Sequence, residues 1–119
     1  MNLYQEHILD HYHHPRNFGQ IDHPDYHAEE YNALCGDRIE IYIKGKNKIQ
    51  SIKFSGEGCA ISQAAASLLT EHLKKLKQVK TAKSLKEKDA IGLLRIKLTP
   101  ARRKCALISY QALKKALNS

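Results

Sequence analysis

Four residues of this chain are suited to chemistry: Cys35, Asp37, Cys59 and Cys105. Cys35 and Asp37 stand two residues apart in Asn32-Ala33-Leu34-Cys35-Gly36-Asp37, with Gly36 between them. Glycine takes backbone angles closed to other residues, so the thiol and the carboxylate can be turned toward one point. A thiolate and a carboxylate aimed at one point suit a metal ion. A turn of this composition between two strands is otherwise ordinary, so the chemistry depends on what else reaches the same place. The cysteines lie 24 and 46 residues apart. No pair forms a Cys-x-x-Cys knuckle, which excludes a zinc ribbon or a classical finger. An odd count argues against a disulfide framework, and a lone cysteine is otherwise a small packing residue. His7 and His11 are spaced i, i+4, a separation that can hold metal. No third ligand follows nearby, so the histidines read as a solvated helix face.

The elements between these residues decide whether they meet. Residues 2–13 read as a helix, with Leu3, Tyr4, Ile8, Leu9 and Tyr12 on its apolar face, stopped by Pro15. Residues 15–25, with Pro15, Asn17, Gly19, Asp22 and Pro24, form an irregular linker, and 26–31 a short strand. From Arg38 the period becomes two: Ile39, Ile41 and Ile43 face one way, Arg38, Glu40 and Tyr42 the other. After a turn at 44–47, a second strand runs from Lys48 to Ser55 with Ile52 and Phe54 inward, giving an antiparallel hairpin with one buried face. The Cys35 loop leads into its first strand, and its second strand leaves into Gly56-Glu57-Gly58-Cys59. The two open ends of a hairpin lie side by side, so Cys35 and Cys59 converge. Ile61, Ala64, Ala65, Leu68, Leu69, Leu73 and Leu76 then trace an amphipathic helix over about 60–77. Cys59 sits at its N-terminus, where the macrodipole and free N–H groups favour a thiolate, and Gly56 and Gly58 allow close approach of the backbone to a ligand. Lys80, Lys83, Lys86 and Lys88 read as a solvated face around a short helix near 82–88. Pro100 opens a final helix with Cys105 in its first turns. Leu107, Ile108, Tyr110, Leu113 and Leu117 form its core side. Arg102, Arg103 and Lys104 crowd before Cys105, cations that favour a thiolate.

A length of 119 residues predicts one domain over 1–119 with its own modest core. No apolar run approaches a membrane span, and the start shows no secretory pattern, so the expected compartment is the cytoplasm. The charge is uneven. Residues 1–40 carry eight acids and two bases, net −6, and residues 41–119 carry 18 bases and four acids, net +14. Such a field attracts nucleic acid or an acidic protein.

Three lone cysteines, the first in Asn-x-x-Cys-Gly-Asp, the second in Gly56-Glu57-Gly58-Cys59-Ala60-Ile61-Ser62 before an Ala-rich helix, and the third opening a C-terminal helix, together resemble the iron–sulfur scaffold family of IscU, NifU and SufU. Leu3-Tyr4 through His11-Tyr12 and Pro15-Arg16-Asn17-Phe18-Gly19 are similar to that family's N-terminal segment. The likeness covers nearly the whole chain. The second cysteine segment and Pro100 to Leu107 lean toward the SufU branch. The IscU branch has a histidine directly before the third cysteine, where this chain has Lys104. It also has a Leu-Pro-Pro-Val-Lys chaperone motif, where this chain reads Leu98-Thr99-Pro100-Ala101-Arg102. SufU in turn carries an extra stretch between the second and third cysteines that a spacing of 46 does not accommodate. The chain resembles a short SufU-like member.

The resemblance implies an α+β fold: a small antiparallel sheet with helices packed on one face and the cysteines at one end. It implies one site made by Cys35, Asp37, Cys59 and Cys105, supported by Gly36, Gly58, Arg102 and Lys104. The implied activity is scaffolding. Cys35 accepts sulfur from a cysteine desulfurase of the SufS/IscS kind, a transient 2Fe–2S cluster assembles, and apo-proteins receive it. The alternative is a zinc-dependent sulfurtransferase that takes persulfide from the desulfurase, with zinc on the same four residues; only then would the chain be an enzyme. A basic nucleic-acid-binding module is the remote rival: no aromatic platform accompanies the lysines. The local signatures of cysteine proteases are absent, which disfavours a hydrolase built on Cys59.

Overall fold

In the computed structural model, which describes residues 3–33 and 36–118, alternation and helical periodicity become a three-stranded sheet covered on one face by helices. Chain order is α1 (Leu3–His13), β1 (Tyr26–Asn32), β2 (Asp37–Lys44), β3 (Ser51–Glu57), α2 (Ala60–Leu76), α3 (Val79–Lys83), α4 (Glu87–Gly92), α5 (Pro100–Ala106) and α6 (Ile108–Leu117). The sheet is antiparallel in the order β1-β2-β3. Its register pairs Ala28 with Ile41 and Ile41 with Phe54. Ile39, Ile41, Ile43 and Phe54 are fully buried, in one cluster with Leu69 and Leu73 of α2 and Ile108 and Leu113 of α6. Each such residue contributes roughly 1.5–3 kcal/mol by leaving water. A second cluster joins Ile8 of α1 to Ala64, Ala65 and Leu68 of α2, Leu94 and Ala106 of α5.

The opposite face of the sheet is polar. Arg38 reaches Glu40 at 2.6 Å and Glu29 at 3.3 Å, and Glu40 also accepts from the Tyr42 hydroxyl at 2.9 Å. Tyr42 is nevertheless buried, stacked on His27 and bonded to Ser55.

Several expectations are corrected. His11 is buried, not solvated, and its Nδ1 lies 2.7 Å from Ser67 Oγ on α2. Tyr12, assigned to the apolar face, is 38% exposed, because α1 turns Ile8 and His11 toward α2. The second hairpin strand begins at Ser51 and not at Lys48. Residues 47–49 pair instead with the chain after α2: Ile49 N–H donates to Lys77 O, and Val79 N–H to Asn47 O. The short helix near 82–88 is two helices, α3 and α4, separated where the Asp89 carboxylate accepts from Lys86 N–H and starts α4. The final helix divides at Leu107 into α5 and α6. The halves serve different cores, Ala106 joining the α1–α2 cluster and Ile108 the sheet cluster.

Candidate metal centre

Two strand ends and two helix ends meet at one end of the sheet. The register sets Asp37 opposite Asn32, and Arg38 opposite Glu57, so the first residue of β2 lies beside the segment leaving β3. Gly56 and Gly58 carry that segment past the sheet. A Cβ on Gly56 would stand 1.9 Å from Arg38 O, and one on Gly58 2.4 Å from Asp37 Oδ1 and 2.5 Å from Ser62 Oγ. Only hydrogen fits at either place.

Cys59 is the N-cap residue of α2, and its side chain makes no capping bond. Asp37 does that work from the neighbouring strand: its Oδ1 accepts from Cys59 N–H at 2.9 Å. A carboxylate at a helix N-terminus is favoured by the macrodipole and by the orphan N–H groups. The thiol is thus left for other work, 3.8 Å from Asp37 Oδ2. Cys105 reaches the same place from the last turn of α5, a helix begun by Pro100 and capped by the Thr99 hydroxyl, which accepts from Arg102 N–H. One ligand atom each from Asp37, Cys59 and Cys105 lies within 4.8 Å of the other two. Asp37 and Cys105 are buried, whereas Cys59 is exposed.

The Cys59–Asp37 separation fits a tetrahedral ion. Zinc–sulfur bonds of about 2.3 Å and zinc–oxygen bonds of about 2.1 Å place sulfur and oxygen about 3.6 Å apart at a tetrahedral angle. The Cys59–Asp37 pair is already within a few tenths of an ångström of that. A donor set of two thiolates and a carboxylate suits zinc or iron–sulfur chemistry.

Of the residues predicted from sequence, Asp37, Cys59 and Cys105 are brought together, with Gly58 packed against Asp37. Cys35 lies outside the described residues; it precedes Asp37 by two positions, across Gly36, whose φ is +70°. Arg102, Arg103 and Lys104 are exposed on the outer side of α5, while Cys105 faces inward. His7 and His11 stand apart from the centre, their rings edge to face on α1. Sequence reasoning missed Ser62. It is 1% exposed, donates to Cys59 O at 3.0 Å, and its Oγ lies 3.8 Å from Cys59 Sγ. Its position, third after an N-cap, is one where a polar side chain reaches back to the cap, and that was the available signal. Among the described residues, Gln63 Nε2 and Ser109 Oγ are buried without a hydrogen-bond partner, one turn beyond Cys59 and Cys105.

The NifU-like N-terminal domain model matches residues 3–119. The chain belongs to that family. It is 37% identical to the zinc-dependent sulfurtransferase SufU of Bacillus subtilis, over 97% of this chain and 89% of that one. It is 34% identical to the iron–sulfur cluster assembly scaffold protein IscU 1 of Archaeoglobus fulgidus, over 97% and 74%. A crystal structure from Fervidobacterium islandicum, assigned as an iron–sulfur cluster assembly scaffold protein for the SUF system, superposes with a TM-score of 0.73 at 30% identity, covering 94% of each chain. The likeness spans the sheet, both helical clusters and the centre together.

Proposed function

We propose that this family member is an iron–sulfur cluster assembly scaffold that accepts sulfur from a cysteine desulfurase and builds or relays a 2Fe–2S cluster to apo-proteins. The observation that carries this reading is the convergence of Asp37, Cys59 and Cys105 at the end of the sheet where the Cys35 loop joins β2. Cys35, Asp37, Cys59 and Cys105 are the assigned ligands, and Cys35 is the sulfur acceptor. The division of labour follows from exposure and chemistry. Buried Cys105 anchors the cargo, and exposed Cys59 meets the solvent side. Gly36 and Gly58 admit the ligands, and Arg102 and Lys104 lend positive charge to an anionic cluster. The work is done in the cytoplasm; no helix among the described residues is long and apolar enough to cross a membrane.

A second reading is favoured by Lys104, which stands where the IscU branch has histidine. Here zinc rests on the same four residues and the protein is a sulfurtransferase. Zinc is redox-inert, so its contribution is to hold the thiols ordered and shielded until the desulfurase engages them.

One measurement separates the readings: metal and acid-labile sulfide content after purification in air and without oxygen, compared with Cys35→Ala, Asp37→Ala, Cys59→Ala and Cys105→Ala. Oxygen-sensitive iron with matching sulfide supports the scaffold. About one zinc per chain without sulfide supports the sulfurtransferase. No metal in either preparation, with the variants unchanged, removes the site. In either reading Cys35→Ser abolishes labelled-sulfur transfer from the desulfurase, and full transfer would remove Cys35 as acceptor.

A further inference from the structure

Far from the centre the chain concentrates positive charge to an extent that cluster chemistry does not use. Residues 44–53 hold four lysines and residues 72–86 hold six, with no carboxylate in either stretch. The fold joins the two stretches through the Ile49 N–H to Lys77 O and Val79 N–H to Asn47 O bonds. The seventeen residues of α2 separate this pole from Cys59, a distance of about 26 Å at 1.5 Å per residue. Lys46, Lys48, Lys74, Lys75, Lys77 and Lys80 are exposed. Among the described residues the ion pair found in these stretches is Lys74 with Glu71, at 3.6 Å. Like charges so placed repel one another, and a polyanion relieves that repulsion.

The pole contains a cavity of ≈ 540 Å³ between the start of β3 and the end of α2. Lys53, Lys74 and Lys77 line it together with Gln50 and Ser51. It also borders the outer edge of β3. Phe54 uses that edge, donating N–H to Asn17 O and accepting from Gly19 N–H. By the alternation of an antiparallel pair, the N–H and C=O of Ile52 face the same edge. No backbone bond on that edge reaches Ile52 among the described residues, and Ile52 borders the cavity. The cavity therefore sets three ammonium groups beside a short stretch of β3 whose Ile52 is itself buried. No aromatic ring lines it, so it offers nucleobases no stacking surface. We infer that this groove binds an extended acidic segment of a partner protein, which sets its carboxylates against Lys53, Lys74 and Lys77.

The test is fluorescence anisotropy on the full chain with a labelled twelve-residue peptide of alternating Glu and Thr. An equally charged single-stranded oligonucleotide and a Gln/Thr peptide are the comparison probes. Lys53→Glu/Lys74→Glu/Lys77→Glu should weaken the acidic peptide by about tenfold or more. The off-groove variant Lys88→Glu/Lys97→Glu/Lys115→Glu, with the same change of charge, should weaken it by less than about threefold. The single changes Lys74→Ala and Lys77→Ala serve if the triple variant does not fold, and each should weaken binding measurably. Equal losses in groove and off-groove variants would overturn the assignment, since net charge alone would then account for binding. Tighter binding of the oligonucleotide than of the peptide, or no peptide binding at low salt, would overturn it too.

Discussion

Replacing Gly58 with alanine tests the geometry of the centre without touching a ligand. The added Cβ would lie 2.4 Å from Asp37 Oδ1, 2.8 Å from Asp37 Cγ and 2.5 Å from Ser62 Oγ. Asp37 and Ser62 are each 1% exposed, so neither side chain has open space to swing into. To admit the methyl, the carboxylate must retreat by several tenths of an ångström and loosen the 2.9 Å bond from Cys59 N–H. A hydrogen bond to a charged group contributes roughly 1.5–3 kcal/mol. At 1.4 kcal/mol per decade, zinc affinity should fall by about one to two orders of magnitude. The assay is competition for zinc against a chromophoric chelator, with circular dichroism to establish that the variant is folded. Gly58→Ala in an Asp37→Ala background adds a stringent control. With the carboxylate gone, the alanine should cost far less, giving a strongly non-additive cycle. A folded Gly58→Ala protein with wild-type zinc affinity, or an additive cycle, would refute the packing of Gly58 against Asp37 as a determinant of the site.

Two other perturbations address the frame. Burial, with Arg16 and His7 nearby, lowers His11 from the ordinary 6.5 to about 4. The folded protein therefore holds that proton more weakly than the unfolded chain does, so stability is full above about pH 6.5, falls as pH drops toward 4, and levels off below. His11→Gln should flatten urea midpoints across that window relative to wild type; an unchanged slope would remove His11 as its source. Gly56→Ala, at φ +137° with its Cβ 1.9 Å from Arg38 O, should break the β2–β3 pairing at the site end. We expect a loss of about 2 kcal/mol or more in urea unfolding, and a loss below about 0.5 kcal/mol would contradict the register.

The hairpin was legible because alternation leaves little choice. Ile39, Ile41 and Ile43 require one face, and a one-residue slip would expose all three. That hairpin alone predicts Cys35 near Cys59; Cys35 lies outside the described residues, and Asp37 Oδ1 accepts from Cys59 N–H. The third contributor was less legible. Cys105 lies 46 residues beyond Cys59, and no local pattern says that the helix carrying it ends at Leu107 or that α5 docks beside α2. The family resemblance supplied that step. His11 was misread for a related reason: helical periodicity identifies the buried stripe by hydrophobicity, and a histidine satisfied by a serine 56 residues away is invisible to it. The start of β3 was misplaced because Lys48 and Ile49 have strand-like composition but pair with the chain after α2, a contact that only the tertiary fold creates.

Asp37 ties these points together, because its two oxygens have different duties. Oδ1 is committed to the N-terminus of α2 through Cys59 N–H, and Oδ2 is left toward Cys59 Sγ. In the proposed role, a carboxylate so divided would offer cargo a single bond from a hard oxygen, weaker toward zinc or iron–sulfur centres than thiolate. If Asp37 ligates the cargo as proposed, Oδ1 would keep the side chain in place when that bond breaks, and the site would open at one corner while the cysteines hold. A scaffold or a sulfur carrier needs this property, since both must part with what they bind. Asp37→Cys should convert the corner into a fourth thiolate and give a closed site of the structural kind. Metal or cluster loading should persist, and transfer to a chelator or an apo-acceptor should slow, by about tenfold for each 1.4 kcal/mol by which thiolate outbinds carboxylate. Stopped-flow transfer from loaded protein measures this directly. A loaded, folded Asp37→Cys protein that releases its cargo as fast as wild type would show that the carboxylate does not set the rate of release.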